Sequence, residues 1–493
     1  MPRSVSAPER CTLAPALEIS RIVTGLWQIA DMERDGRALD LDAAARAMAE
    51  YARAGFDSFD MADHYGSAEL IAGRCRELLA QEGIRPRLFT KWCPKPGEMT
   101  PEIVRAGIKR ALDRLGVARI DLLQFHWWTF EHPTYLDAVK ELAALQQEGK
   151  ILHLALTNFD TDHLRLLVKH GIKIVSNQVS FSLLDPRAAG DMTTFCLEHG
   201  IKLLAYGTLA GGFLSERWLG ASEPAPTDIS DWSKMKYRRF IDAVGGWTIL
   251  QGILTALAEI ARKHSVSVAN VATRWVLEQP AVAAIIVGVR LGEREHRAEN
   301  LRACSFALDN EDRGTITEAL ARARRIPGDC GDEYRRPPYL TASGDLSHHL
   351  GMIPPVYNSV AMEAHPGRRR IDSGSVWESV GGYSRAVRVG DRILVSGTTA
   401  THGSGEVVCP GDVAGQTVYI LDKIAASIGA LGGSLEDVIR TRIYLRDATQ
   451  WEAAARVHGR YFSRVRPANT LIETSALVGD YEVEIEAEAV VGA

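Results

Sequence analysis

Three short stretches carry residue types that together can move a proton onto a carbonyl oxygen. Residues 59–66 read FDMADHYG, residues 90–92 read TKW and residues 124–127 read QFHW. Asp60, Tyr65, Lys91 and His126 stand out in them. A tyrosine phenol has a pKa of about 10, too high for an efficient general acid at neutral pH. A neighbouring ammonium stabilises phenolate and is expected to lower that pKa. A carboxylate beside the lysine keeps it charged and oriented. A histidine beside the phenol can hydrogen-bond a substrate carbonyl oxygen. Tyr65, Lys91, Asp60 and His126 can fill those four roles. Each alone has an ordinary explanation, since a strand-end Asp is commonly a cap and a His after an apolar run is commonly a satisfied rim residue. The ordered set at three successive strand ends carries the reading.

Those ends belong to a regular series. Short apolar runs at 22–27, 58–61, 88–92, 121–126, 152–157, 174–178, 202–206 and 283–289 predict strands. Helical patterns such as 41–54, 101–115 and 135–148 lie between them, with Gly55 and Gly149 as C-terminal caps. Eight such units, with near-continuous apolar strands, predict an α/β fold: a closed parallel (β/α)8 TIM barrel whose active site lies at the C-terminal strand ends. A long insert follows the seventh strand at 218–247. An extra helix is expected over 309–325.

The chain has 493 residues, too many for one ordinary domain. From 326 to about 373 it becomes rich in Pro, Gly, His and Arg. A linker or packed irregular arm is expected there, with the dense basic run Arg368, Arg369 and Arg370 solvated. Beyond it, 386–396 alternates like a strand, 418–431 reads as an amphipathic helix ended by Gly432 and Gly433, and 438–445, 470–475 and 481–491 read as strands around a 449–464 helix. The expected division is a barrel over 1–330, an arm over 331–370 and a small α+β domain over 371–493.

An apolar fraction of 46% and a charged fraction of 24% exclude a mostly disordered chain. Net charge is −5, so no basic excess tracks a phosphate backbone and no nucleic-acid partner is expected. The longest apolar runs, such as 281–287, fall far short of the ~20 residues that span a bilayer. Residues 1–8 have no apolar core, so neither a signal peptide nor membrane attachment is expected. Seven scattered cysteines without CxxC spacing argue against a disulfide framework and against a metal site, and fit a reducing cytoplasm.

Residues from about 19 to 325 resemble the aldo-keto reductase family. The stretches 59–69 (FDMADHYGSAE), 89–92 (FTKW), 120–127 (IDLLQFHW), 156–159 (LTNF) and 177–178 (NQ) carry the likeness. It implies hydride transfer between a nicotinamide cofactor and a small-molecule carbonyl, with Asp60, Tyr65, Lys91 and His126 as the family's tetrad. It implies that Asn158 and Gln178 hold the nicotinamide amide and that Tyr206 stacks on the ring. The 207–212 loop, with Gly207, Leu209 and Gly211, would approach the pyrophosphate. After the eighth strand, Gly288 and Arg290 would face the adenosine phosphate, and Glu299 and Asn300 the adenine. His296 stands where many members carry Arg or Gln. NADP(H) is the expected cofactor and NAD(H) the alternative. Trp27, Trp127 and Trp128 are candidates for an aromatic substrate pocket.

Residues from about 371 to 493 resemble the Rid (YjgF-type) family, which includes enamine/imine deaminases. The motifs are 382–387 (GYSRAV), 395–397 (VSG), 432–433 (GG), 438–441 (VIRT) and 483–486 (VEIE). The resemblance implies a homo-oligomer, typically a trimer, with ligand clefts between subunits that contain Tyr383 and Glu484. Deaminating members carry an Arg in a Pro-Ala-Arg context, whose fork binds a carboxylate. Here 466–469 reads RPAN, and Asn469 cannot supply that charge, so 2-iminoacid deamination is not expected. The leading expectation is an NAD(P)H-dependent carbonyl reductase fused to a Rid-like ligand-binding or oligomerisation domain. The alternatives are a bifunctional imine hydrolase and carbonyl reductase, and a nicotinamide-binding sensor or assembly module without turnover.

Overall fold

The computed structural model describes residues 6–29, 39–229, 231–293, 295–337, 339–340, 346–403 and 405–492. An antiparallel hairpin, β1 (Arg10–Ala14) and β2 (Leu17–Ser20), precedes the barrel. Eight parallel strands then close on themselves: β3 (Ile22–Gly25), β4 (Ser58–Ala62), β5 (Arg87–Trp92), β6 (Ile120–His126), β7 (Ile151–Thr157), β8 (Ser176–Ser180), β9 (Lys202–Tyr206) and β10 (Val282–Gly288). β10 pairs with β3, which completes the ring. The hairpin packs Leu13, Leu17 and Ile19 against Val23, Phe89, Leu122, Ala155 and Leu204. It therefore plugs the N-terminal end of the barrel and leaves the C-terminal end for chemistry.

Local chemistry sets the surrounding helices. Pro101–Leu115 starts on Thr100, whose hydroxyl accepts from the Ile103 N–H, with proline in its first turn. It stops at Gly116, whose φ of 64° lies in the left-handed region. The insert after β9 contains the helix Trp232–Val244, capped by Asp231, whose carboxylate accepts from the Lys234 N–H at 3.0 Å. Its Tyr237, Phe240 and Ile241 bury with Ala210 and Phe213, so the helix lies on the loop that follows β9. The extra helix after the barrel runs Asn310–Leu320.

The C-terminal part is one seven-stranded sheet covered by helices. Its strands are β11 (Ser359–Ala361), β12 (Arg368–Ile371), β13 (Ala386–Val389), β14 (Arg392–Thr399), β17 (Val438–Leu445), β18 (Ala468–Glu473) and β19 (Val483–Val490), in the order β11-β12-β13-β14-β19-β17-β18. β15 (Thr401–His402) and β16 (Glu406–Val407) form a separate short pair. Two expectations change here. Arg368 and Arg369 are exposed, as expected, but the Arg368–Arg370 run is a strand paired with β11 and β13 and not a linker. The 386–396 run is two antiparallel strands, broken at Gly390 with φ of 62°.

The helix Val413–Ala430 is buried on almost every side, not amphipathic. One side lies on its own sheet, and the other lies on the barrel helix Thr161–Lys169. An all-round apolar helix needs two partners, and the barrel is the second. A buried ionic cluster crosses that contact. Asp422 accepts from the hydroxyls of Tyr135 (2.8 Å) and Tyr461 (2.7 Å) and lies 3.1 Å from His163 Nε2. His163 Nδ1 lies 2.8 Å from Asp160, which also pairs with Arg460 at 2.8 Å. Among the described residues, no single helix is long and apolar enough to cross a membrane.

Candidate active site

The polar side chains at the C-terminal strand ends meet in one cavity of about 600 Å³. Asp60 from β4, Lys91 from β5, His126 from β6 and Tyr65 from the turn after β4 all line it. Asp60 and Lys91 form a buried ion pair. The other Asp60 oxygen accepts from Gln124 Nε2 at 2.7 Å and from Gln178 Nε2 at 2.8 Å. Three donors thus fix the carboxylate, and the carboxylate fixes the ammonium. The ammonium stands 5.2 Å from the Tyr65 ring centroid.

The Tyr65 phenol departs from expectation. Burial pushes its pKa well above the ordinary tyrosine value, and Asp60 adds to the rise. Lys91 spends its charge on Asp60, so its ammonium does not bring the phenol down. Tyr65 is held as a neutral acid. His126 departs as well. Its Nδ1 lies 3.2 Å from the Thr157 carbonyl oxygen, which can only accept, so Nδ1 carries the hydrogen. Burial, then Arg335, hold the ring well below the ordinary histidine pKa. The neutral ring therefore offers Nε2 as an acceptor, and that atom is buried without a partner. It cannot donate to a carbonyl oxygen in this state.

The cofactor candidates divide into two groups. Asn158, Gln178, Tyr206, Gly207, Leu209, Gly211, Gly288 and Arg290 line the same cavity as the tetrad. His296, Glu299 and Asn300 do not. Glu299 accepts from the Ser267 hydroxyl and, through its carbonyl, from Asn270 at 2.9 Å. Asn158 has φ of 58°, a left-handed conformation that Asn tolerates better than most residues. Its Oδ1 lies 2.8 Å from the Tyr206 hydroxyl, which leaves the amide nitrogen free to donate. Gln178 spends its amide hydrogens on Asp60 and Gln124, which leaves Oε1 to accept. One donor and one acceptor at adjacent strand ends match the two halves of a carboxamide. The glycines of the 207–212 loop make room first for protein. A Cβ on Gly207 would lie 1.9 Å from the Tyr237 hydroxyl, and one on Gly211 would lie 3.3 Å from the Ser233 backbone.

Trp27 packs edge-on against Tyr65 at 5.0 Å and lines the cavity. Trp128 does too, 4.3 Å from His126. Trp127 does not. It is fully buried, donates to the His132 carbonyl at 2.9 Å and packs on Phe125. Successive residues at the end of β6 point to opposite sides, and Trp127 falls on the helix side. Residues without a role in the sequence reading include Gln124, which holds Asp60 from behind, and Glu333, Tyr334 and Lys236, which line the cavity. Gln124 shares a strand face with His126 two residues on, a signal the sequence does hold. Glu333 and Tyr334 come from the arm and Lys236 from the insert. The arm has no period that aims a side chain, and the apolar period of the insert helix, Tyr237, Phe240, Ile241 and Val244, does not single out Lys236 beside it.

Beside the tetrad, ligand atoms of Asp63, His64 and Cys93 come within 4.8 Å of one another. Asp63 already accepts from the Cys93 backbone N–H at 3.2 Å and lies 3.2 Å from His64 Nδ1. Burial pushes the Cys93 thiol well above its ordinary pKa. The set is better matched to internal pairing than to a cation.

The barrel is that of a known family. Residues 21–321 match the Aldo/keto reductase family model. The chain belongs to that family. Aldo-keto reductases use nicotinamide cofactors, and the chain is an oxidoreductase of this kind. It is 24% identical to the NADH-specific methylglyoxal reductase of Escherichia coli, over 62% of this chain and 96% of that protein. The glycerol dehydrogenase AKR11B4 of Gluconobacter oxydans superposes with a TM-score of 0.50 at 22% identity, over 64% of this chain and 95% of its own. A 32% identical match to flagellar radial spoke protein 5 of Chlamydomonas reinhardtii spans only 33% of that protein.

Residues 375–491 match the Endoribonuclease L-PSP family model. This aldo-keto reductase thus carries a Rid/YjgF domain, 34% identical to the RutC family protein PH0854 of Pyrococcus horikoshii over 87% of that protein and 22% of this chain. The domain's candidate residues do not all meet within one chain. Asn469 Nδ2 donates at 2.9 Å to the hydroxyl of Thr441, which is buried toward the helices. Glu484 pairs across β17 with Tyr444, three positions on, so it lies on the opposite face of the sheet. Glu484 packs against Gly397, and burial raises its carboxyl pKa while Arg385 opposes the rise. Tyr383 is 40% exposed, with its ring 6.0 Å from the Arg385 guanidinium.

Proposed function

We propose that the barrel reduces an aldehyde or ketone with NADPH as the preferred donor. One observation carries this reading: a phenol held neutral by burial shares a cavity with a Lys–Asp pair and with an Asn–Gln pair complementary to a carboxamide. A nicotinamide cofactor would be held by Asn158, Gln178 and the 207–212 loop and would supply the hydride. Tyr65 gives its proton to the carbonyl oxygen as charge develops there. Lys91, 5.2 Å from the ring centroid, stabilises the phenolate that remains. Asp60 keeps that ammonium in place, and Gln124 and Gln178 keep Asp60 in place. His126 Nε2 accepts a hydrogen bond from the hydroxyl form of the substrate. Trp27 and Trp128 wall the reacting region against water.

The preference for NADPH rests on Arg290. Its nearest carboxylates, Asp231 and Glu293, stand at 3.9 and 4.0 Å, too loose to occupy its fork. The Rid domain would make the chain a homo-oligomer, possessing clefts completed between subunits, in the cytoplasm. Its sheet carries exposed Leu394, Ile439 and Ile472, which supports a partner on that face. A second reading, imine hydrolysis at Glu484 coupled to reduction of the released carbonyl, is supported by the Glu484–Arg385 neighbourhood. Glu484→Ala should then slow an imine substrate without slowing aldehyde reduction, and an unchanged imine rate excludes it.

NADPH and NADH consumption against a panel of aldehydes and ketones, with Tyr65→Phe beside the parent chain, tests the main reading. NADPH oxidation should fall at least about 10²-fold in the variant. Equal near-background rates in both would favour a cofactor-binding sensor instead.

A further inference from the structure

The cavity is lined by two lysines in different states, Lys91 buried and Lys236 half-buried. Lys91 is paired with Asp60. Lys236, from the helix Trp232–Val244, has no carboxylate within 4.0 Å among the described residues. Its ammonium donates to the Tyr334 hydroxyl at 3.0 Å. It lies 4.1 Å from the Tyr334 ring centroid, 5.2 Å from that of Tyr206 and 5.4 Å from that of Tyr237. The acid that acts on it, Glu333, is already paired with Arg187 at 2.8 Å.

A cage of aromatic faces tolerates such a cation but does not neutralise it. Burial pulls its pKa down, yet the tyrosine oxygens and Glu333 more than offset this and keep it protonated at neutral pH. Taking an ammonium even partly out of water is costly without a close anion, and cation–π contacts recover only part of that cost. The position of the charge is specific. The Tyr334 ring that contacts Lys236 lies 5.7 Å from the His126 ring, so one aromatic ring separates the ammonium from the tetrad. Arg217 and Arg290 line the cavity together with the 207–212 loop, where cofactor phosphates would meet them before Lys236.

We infer that Lys236 is a substrate-binding residue for an anionic group, so that the preferred substrates are carbonyl compounds bearing a carboxylate or phosphate a few bonds from the carbonyl. This rests on the reductase reading above and narrows its substrate class. The same ammonium could in principle serve a cofactor phosphate, and the test separates the two sources.

The test compares kcat/KM for 4-oxobutanoate with that for its methyl ester, and the Kd for NADPH, in the full chain, in Lys236→Met and in Lys236→Arg. The parent should favour the carboxylate by about 10- to 100-fold, the range of one charge-assisted contact. Lys236→Met should bring the ratio to about one, and Lys236→Arg should keep most of it. No preference in the parent, or a ratio unchanged in Lys236→Met, overturns the inference while the reductase reading stands. A weakened NADPH Kd with an unchanged ratio assigns the charge to the cofactor. If neither aldehyde is turned over, the panel above decides the reductase reading, and calorimetric titration with succinate decides the anion site by itself. Tighter binding to the parent than to Lys236→Met supports the site, and equal binding overturns it.

Discussion

Raising the pH should loosen the contact between the barrel and the Rid domain through one side chain, His163. Its imidazole is buried between two carboxylates, Asp160 at 2.8 Å and Asp422 at 3.1 Å, and stacks on Phe130 at 3.4 Å between ring centroids. Arg460 pairs with Asp160, and Tyr135 and Tyr461 donate to Asp422, so the carboxylates stay compensated when the ring loses its proton. Burial lowers the pKa of His163, but the two carboxylates outweigh it and raise it from 6.5 to about 9. A raised folded-state pKa gives stability that is complete below about pH 6.5 and disappears as pH climbs through about 9. A shift of this size corresponds to about 3 kcal/mol. Urea unfolding of the full chain and of His163→Gln, from about pH 6 to pH 10, isolates the term, since the remaining titrations are common to both. The stability difference should shrink by about 3 kcal/mol across that range. A difference that stays constant would refute a charged His163.

Carbonyl reduction should stay level from about pH 6.5 to pH 8.5, because Tyr65 is held protonated above the ordinary tyrosine range; a decline with an apparent pKa of about 7 to 8 in the pH–rate profile would mean an acidified phenol. Lys91→Met should destabilise the fold by about 3–5 kcal/mol, since it strands the buried Asp60 carboxylate, and adding Asp60→Asn should recover much of that in the same unfolding assay. Gly207→Ala should weaken NADPH binding about tenfold or more by fluorescence titration. The new Cβ would lie 1.9 Å from the Tyr237 hydroxyl at a residue with φ of 71°, which forces the covering helix away from the cavity.

Much of the barrel was legible because its strands are buried on both faces and read as apolar runs. The 202–206 strand falls where the sequence puts it, and the tetrad residues sit at the ends of such runs. What stayed hidden depends on contacts distant in sequence. The β1–β2 hairpin is too short to show a period, and only the barrel floor explains its apolar residues. Arg368 to Arg370 read as solvated linker because strand pairing with β11 and β13 leaves no mark in a run of arginines. The helix Val413–Ala430 reads as amphipathic if one partner is imagined, and the barrel supplies a second. The alternation of side chains along β6 sends Trp127 to the helix side, and the same alternation across the second sheet puts Asn469 and Glu484 on opposite faces. Lys236 and Tyr334 meet only because the insert and the arm converge over the barrel mouth.

The most direct test of the reductase mechanism is single-turnover transfer of deuterium from 4-deuterated NADPH to an aldehyde, in the full chain and in Tyr65→Phe. Deuterium should appear at the carbinol carbon of the product, at a rate at least about 10²-fold lower in the variant. Bound NADPH that transfers no deuterium, or transfer at the same rate without the phenol, would contradict it.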